Sequence, residues 1–214
     1  ANAASSDDNQ RYRIDAEASR FRGRLHPHQT PLYHQGDTVE SFFRVNSGVV
    51  MVYRMQENSQ RQIFGFYTEG DFFGLSLHDT YQESAVTVTT SNVVALTLSD
   101  IHKSVELQKQ VFAIACGQME VTQNLIATLT KKTASEKVAA FLVMLADRQH
   151  CDGNSFDIRL PMSRLDIADY LGLTIETVSR RFTALKTAGV ISLPDRNTVR
   201  VNNFATLLAQ SGPA

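Results

Sequence analysis

The chain has 214 residues, 43% of them hydrophobic, and a formal net charge of −1. That length supports one large or two small domains with real cores, and near-neutral charge argues against non-specific coating of nucleic acid, so any DNA contact must come from a local patch. No apolar run approaches a membrane span, and Cys116 and Cys151 alone give neither a disulfide scaffold nor zinc spacing, which points to a reducing cytoplasm.

Residues 1–20 open on Ala1-Asn2-Ala3-Ala4-Ser5-Ser6-Asp7-Asp8, without the hydrophobic stretch of a signal peptide, and read as a flexible tail. From about Phe21 to Leu98, short apolar runs alternate with glycines. Gly36-Asp37, Gly48, Gly65, Gly70-Asp71 and Gly74 mark turns between predicted strands at Ser41–Val45, Val49–Arg54, Ile63–Tyr67, Ala85–Thr90 and Val93–Thr97. This spacing predicts a barrel or roll over 21–98, a sensor domain if its interior holds a ligand and a structural one if its core is filled. His26-Pro27-His28 with His34 invites a cupin-like metal reading, but Glu40 lies twelve residues beyond His28, too far for that motif. His78 could ligate haem yet has no evident partner. No metal site is expected.

Ser99 or Asp100 can start a helical region, and about Val105 to Lys132 contains no proline. Leu107, Val111, Ile114, Gln118, Val121, Leu125 and Thr128 alternate steps of four and three, the seam of a coiled coil. Roughly 25 such residues make a rod of about 38 Å. The expectation is a dimerisation helix over 99–133 with Leu107, Val111, Ile114, Gln118, Val121 and Leu125 at the interface, although part of this stripe should pack on the chain's own roll. Cys116 is expected to pack within this helix. Ser135 can cap the next helix, Glu136 to about Arg148, whose Val138, Phe141, Leu142 and Leu145 face inward. Cys151-Asp152-Gly153-Asn154-Ser155 reads as an exposed turn, and Cys151 as a candidate for oxidation.

The most informative stretch follows. Ser163 caps a helix, with Asp166 completing a capping box; Leu165, Ile167, Ala168 and Leu171 supply its apolar face, and Gly172 permits a sharp turn. Thr174 caps a second helix running toward Ala188, with Gly189 as its stop. Ile175, Val178, Phe182 and Leu185 form one predicted buried stripe, while Glu176, Ser179 and Arg180 lie on another face. An Arg can donate twice to guanine, a Glu can accept from cytosine, and a Ser can meet several bases, so these three are predicted to read bases from a major groove. Ser163, Arg164, Thr174, Thr177, Arg181 and Lys186 are predicted phosphate contacts. Val190–Leu193 and Thr198–Val201, flanking Pro194-Asp195-Arg196-Asn197, then read as a β-hairpin, the wing of a winged helix-turn-helix domain over 134–214. Residues 174–200 hold five Arg or Lys and two acidic groups, a local charge of plus three.

The order of roll, long helix and winged helix resembles the Crp/Fnr family of bacterial transcription regulators over residues 21–209. Gly36-Asp37 with Gly48, and Gly70-Asp71-Phe72-Phe73-Gly74, look like that family's roll glycines, and Asp166–Arg181 is the most specific match. The resemblance implies an α+β fold: an N-terminal cyclic-nucleotide-binding-like β-roll, a long dimerisation helix and a C-terminal winged helix-turn-helix. Glu176-Thr177-Val178-Ser179-Arg180 looks like the Fnr/FixK branch, whose members read TTGAT-N4-ATCAA palindromes. Carried over, Glu176 and Arg180 would read the G·C pair of TTG and Ser179 a neighbouring thymine. A two-fold homodimer would set two reading helices about 34 Å apart.

Departures narrow the branch. Cyclic-nucleotide binders need a Glu just after the roll's Phe-Gly and an Arg about ten residues on. Here those places read Gly74-Leu75-Ser76-Leu77 and Gln82-Glu83-Ser84-Ala85, where a phosphate would meet Glu83. Oxygen-sensing members hold an iron–sulfur centre on N-terminal cysteines plus one in the roll, and this chain has none before Cys116. What remains is similar to the FixK-like branch, which implies an activator of low-oxygen respiration, nitrogen fixation or denitrification genes, with DNA, RNA polymerase and a second copy as partners and no cofactor. Loops Cys151–Ser155 and Glu57–Gln60 are the expected polymerase contacts. The rivals are a regulator gated by haem or a small molecule, and a cupin-like metalloenzyme. No catalytic constellation emerges.

Overall fold

A computed structural model of the chain describes residues 22–212, the side chains at 120, 121, 124 and 131 excepted. The expected tail, 1–20, lies outside the described residues. The chain divides into two compact units between Val121 and Thr122.

In the first unit, eight strands form two antiparallel sheets. Strands β1 (Arg24–His26), β8 (Ser91–Leu96), β3 (Phe42–Ser47) and β6 (Phe72–Phe73) make one, in that spatial order. Strands β2 (Pro31–Tyr33), β7 (Ser84–Thr87), β4 (Val50–Met55) and β5 (Arg61–Tyr67) make the other. The five predicted strands are present with shifted ends, while β1, β2 and β6 are too short for an alternation pattern to reveal. Alternate residues point inward, so Val45, Val50, Val52, Ala85 and Val93 form a buried core with Tyr33, Phe73 and Tyr81. The interior is filled by rings: Tyr33 stacks on Tyr81 at 3.9 Å between centroids, and on Phe43 at 5.4 Å. Buried Thr87 is satisfied by accepting from Thr30 N at 2.8 Å and donating to the Pro27 carbonyl at 2.6 Å. Gly48, at φ +91°, lies where a Cβ would meet the Ser91 backbone at 2.7 Å, so both its angle and its lack of side chain are needed.

Gly65 is no turn. It sits inside β5, where Val52 faces Gly65 but Tyr53 faces Ile63, a bulge that leaves Phe64 as the extra residue.

The helix expected over 99–133 is two: α1 (Leu98–Lys103) is capped by Thr97, two residues before Ser99, with Asp100 as the capping-box partner rather than a start, and Ser104, in extended conformation, ends it. Helix α2 runs unbroken from Val105 to Lys131. Leu107 and Ile114 are buried with Phe42, Phe72, Val94 and Leu96 on the outer face of the roll, and Val111 packs beside them. Gln118 Nε2 donates to the Phe72 carbonyl at 2.6 Å. These four were expected at a dimer seam, and their own roll occupies them. Leu125 is half-buried, and Val121 falls among the side chains not described. Among the described side chains of α2, the large apolar ones left in solvent are Val105, Phe112, Met119 and Ile126, in steps of seven, at 67%, 72%, 64% and 56% exposure. Cys116, expected to pack, is instead exposed on that same side, three and four residues from Met119 and Phe112.

The second unit begins within α2 and continues into α3 (Ala134–Arg148). Thr133, not Ser135, caps α3 through a box with Glu136, and Val138, Phe141, Leu142 and Leu145 are buried as expected. Helices α4 (Arg164–Leu171) and α5 (Ile175–Thr187) follow. A three-stranded antiparallel sheet runs in the order β10 (Ile191–Ser192), β11 (Thr198–Val201), β9 (Phe156–Arg159). The hairpin was expected; β9 and the closing helix α6 (Phe204–Gln210) were not. Leu207 of α6 and Ile158 of β9 are fully buried, so both elements complete the core beneath α3.

Candidate nucleic-acid interface

Helix α4 begins as its sequence dictates. The Ser163 hydroxyl accepts from Asp166 N at 3.1 Å and donates to Asp166 Oδ2 at 2.6 Å, while Ser163 N donates to the same carboxylate at 2.9 Å. The helix ends at Gly172, whose φ of +61° lets the chain reverse at once. Its buried residues are Ile167, Ala168, Tyr170 and Leu171. Leu165, expected in that face, is 50% exposed, because it points away from the side on which Ile167, Ala168 and Leu171 pack.

Thr174 caps α5, its hydroxyl accepting from Thr177 N at 3.2 Å. Val178, Phe182 and Leu185 are buried, which turns Glu176, Ser179 and Arg180 together into solvent. Ile175, expected in the buried stripe, is instead 40% exposed. As the first residue of α5 it stands at the helix end and is only partly covered. The exposed Ile175 adds an apolar side chain beside Glu176 and Ser179, which the sequence does not reveal because an aliphatic residue in helical register looks like core.

The charges are pre-set. The Glu176 carboxyl is held below its usual range by its own backbone N–H, then by the Thr174 hydroxyl and by Arg180, all consistent with a helix N-terminus that favours anions. Arg180 Nε donates to the Glu176 carbonyl at 3.3 Å. Two of the three reading candidates are therefore tied to one turn of helix, with the Glu176 carboxylate favoured as an acceptor.

The phosphate candidates differ from one another. Ser163 has its hydroxyl proton committed to Asp166. Thr174 and Thr177 place their hydroxyl oxygens 3.1 Å apart at the start of α5. Arg164 lies against the Phe182 ring, Cζ 3.5 Å from the centroid. Arg181 is half-buried with an Nε that has no hydrogen-bond partner, and Lys186 is exposed in the last turn of α5. Arg196 and Asn197, which were not singled out from sequence, line an open groove with Pro161, Ser163 and Arg164. Arg200 is bridged to Asp157 of β9 at 2.7 and 2.9 Å. Counting Asp157 with the five cations and two acids of residues 174–200 lowers the local charge from plus three to plus two.

Cys151 is half-buried, with Sγ 3.7 Å from the Asp157 carbonyl. Burial, then Asp152 and Asp157, push its thiol up, which disfavours the thiolate that oxidation needs. The geometry gives the redox reading no support. In the roll, Glu83 is engaged by Arg54 at 2.7 Å. Among the described residues, no group of three or more His, Cys, Asp or Glu could hold a metal ion, and no helix is long and apolar enough to cross a membrane.

Known proteins show the same arrangement. The model of a cyclic nucleotide-binding domain matches residues 24–107, and that of a Crp-like helix-turn-helix domain matches 136–210. The nitrogen fixation regulation protein FixK of Rhizobium meliloti is 39% identical over 173 residues, covering 79% of this chain and 78% of that protein. The transcriptional activator protein FnrA of Stutzerimonas stutzeri is 35% identical over 200 residues, 90% of this chain and 82% of that protein. The solved structure of FixK2 from Bradyrhizobium japonicum superposes with a TM-score of 0.81 at 29% identity, covering 89% of this chain and 97% of that one. An exposed Glu-Ser-Arg face on a capped second helix, together with these relatives, leads to one conclusion: the chain is a DNA-binding transcription regulator of the Crp/Fnr family, in its FixK-like branch.

Proposed function

We propose that two copies of this chain pair along α2 and place two α5 helices in successive major grooves of a TTGAT-N4-ATCAA-like inverted repeat. The observation that carries this reading is the outward face of Glu176, Ser179 and Arg180 above the buried Val178, Phe182 and Leu185. Glu176 and Arg180 read the G·C pair of TTG, and Ser179 a neighbouring thymine. Ile175 adds an apolar contact to a thymine methyl, for which its exposed aliphatic side chain is suited. Arg164, Thr174, Thr177, Arg181 and Lys186 position the helix on phosphates, with Ser163 serving chiefly as cap.

The pairing surface is Val105, Phe112, Met119 and Ile126. A repeat of seven keeps these side chains in line along a pair of left-handedly supercoiled helices, and burying them against a second copy removes apolar surface from water. The bound dimer activates transcription by contacting RNA polymerase through exposed loops, Cys151–Ser155 and Glu57–Gln60 being the candidates. Relatives named for nitrogen fixation and anaerobic regulation support target genes of low-oxygen respiration, nitrogen fixation or denitrification. The ring-filled interior of the roll supports an activator that needs no ligand.

Fluorescence anisotropy with the inverted repeat and a scrambled duplex of equal length tests the reading. The repeat should bind on the order of a thousandfold more tightly. Equal affinity for both, under oxidising and reducing conditions alike, rejects it.

A further inference from the structure

Arg164 is the first residue of α4, where unpaired backbone N–H groups already carry partial positive charge, so a cation there is opposed rather than favoured. Burial adds to the penalty and lowers the guanidinium pKa from its ordinary value. The compensating contact is the face of Phe182, with the guanidinium carbon 3.5 Å from the ring centroid, a cation–π stack at close range. Phe182 is 2% exposed and belongs to the buried stripe of α5, two residues after Arg180. The stack therefore ties the start of α4 to the middle of the helix that carries the reading face.

Arg164 also lines a groove of about 600 Å³ whose lining includes Arg196 and Asn197 of the wing. Asp195, the one acid in that lining, accepts from Asn197 N at 2.7 Å and holds the wing turn. Two guanidinium groups flanking an open groove match a phosphodiester of the DNA backbone.

We propose that Arg164 is a positioning residue for sequence selection: a backbone phosphate held between Arg164 and Arg196 fixes the guanidinium plane, and that plane, stacked on Phe182, sets the angle at which α5 meets the bases. The inference rests on the reading that α5 enters the major groove. Its consequence is that a side chain touching no base controls the ratio of specific to non-specific affinity. A lysine could hold the phosphate as a point charge but could not present a plane to the ring.

Anisotropy titrations over a range of salt, on the inverted repeat and on scrambled duplex, decide it. Arg164→Lys should leave the salt dependence unchanged and lower the specific-to-non-specific ratio about tenfold. Phe182→Leu should reproduce that signature with the cation intact, its thermal midpoint serving as the control for packing. Arg164→Ala should lose both, its plot of log affinity against log salt becoming shallower by about 0.9 per protomer. An unchanged ratio in Arg164→Lys, or equal losses on both duplexes, makes Arg164 an ordinary phosphate contact and overturns the proposal. A wild-type protein without preference for the repeat overturns the underlying reading instead.

Discussion

Helices α2 and α5 both bury an apolar stripe, yet they show solvent opposite chemistry. Helix α5 exposes Glu176, Ser179 and Arg180, which cost little in water and can be exchanged for hydrogen bonds to bases. Helix α2 buries Leu107 and Ile114 on its roll and still exposes Val105, Phe112, Met119 and Ile126. A helix apolar on two sides is incomplete by itself, because the second stripe keeps its surface in water until something covers it. The difference teaches that one face of an amphipathic helix explains the fold and the other face points to the partner. The exposed face of α5 suits a polar, charged partner, and that of α2 suits another apolar surface.

The contrast breaks most sharply on α2. Met119→Asp should raise the dimer dissociation constant at least a hundredfold, about 2.7 kcal/mol, and abolish specific DNA binding while the folding stability of the single chain barely moves, since Met119 is exposed in one copy. Ile114→Ala should do the reverse, costing about 2–4 kcal/mol of folding stability with dimerisation intact. Sedimentation equilibrium and denaturant titration read the two; a dimer lost in the second variant and kept in the first would restore the inner stripe as the interface. On α5, Arg180→Ala should cost roughly 1–3 kcal/mol on the inverted repeat and little on scrambled DNA. Equal weakening on both would mean that Arg180 meets only phosphate.

Smaller effects sharpen the same picture. Ile175→Ala should weaken specific binding by under about 1 kcal/mol, and deoxyuridine in place of the contacted thymine should weaken the wild type equally and the variant no further. An additive loss would place Ile175 away from that methyl. The smallest effect concerns acid. Glu176 has a carboxyl held below its unfolded value of 4.5, so its contribution to α5 is fully present above about pH 4.5 and disappears as the pH falls through the lowered folded value. Thr174→Ala removes one of the groups that hold the charge, and an NMR titration should show the Glu176 midpoint moving back toward 4.5. An unmoved midpoint would assign the whole depression to the backbone and Arg180.

Local chemistry made much of the second unit legible. Ser163, Asp166, Gly172, Thr174 and Gly189 act within a few residues of themselves, through caps and a left-handed turn, so their roles needed no tertiary information. Thr97 and Thr133 compete with Ser99 and Ser135 as caps, because in each segment more than one hydroxyl can start a helix, and local sequence does not choose between them. Strands β1, β2, β6 and β9 have two to four residues, too few for period two to show, and are held in place by partners distant in sequence. Gly65 looked like a turn because a glycine inside a strand carries no local mark of the bulge it sits in.

The amino-acid order by itself determined the succession of roll, long helix and winged helix, and the identity of the three residues that face outward on α5. Both follow from periodicity and capping, which are properties of neighbouring residues. Only the tertiary structure decided which stripe of α2 the roll consumes, that Ile175 and Leu165 remain in solvent, and that Arg164 rests on Phe182. Each of those outcomes depends on which surface arrives from elsewhere in the chain. Where two faces of a helix are equally apolar, the pattern is symmetric, and only the arriving surface breaks the tie.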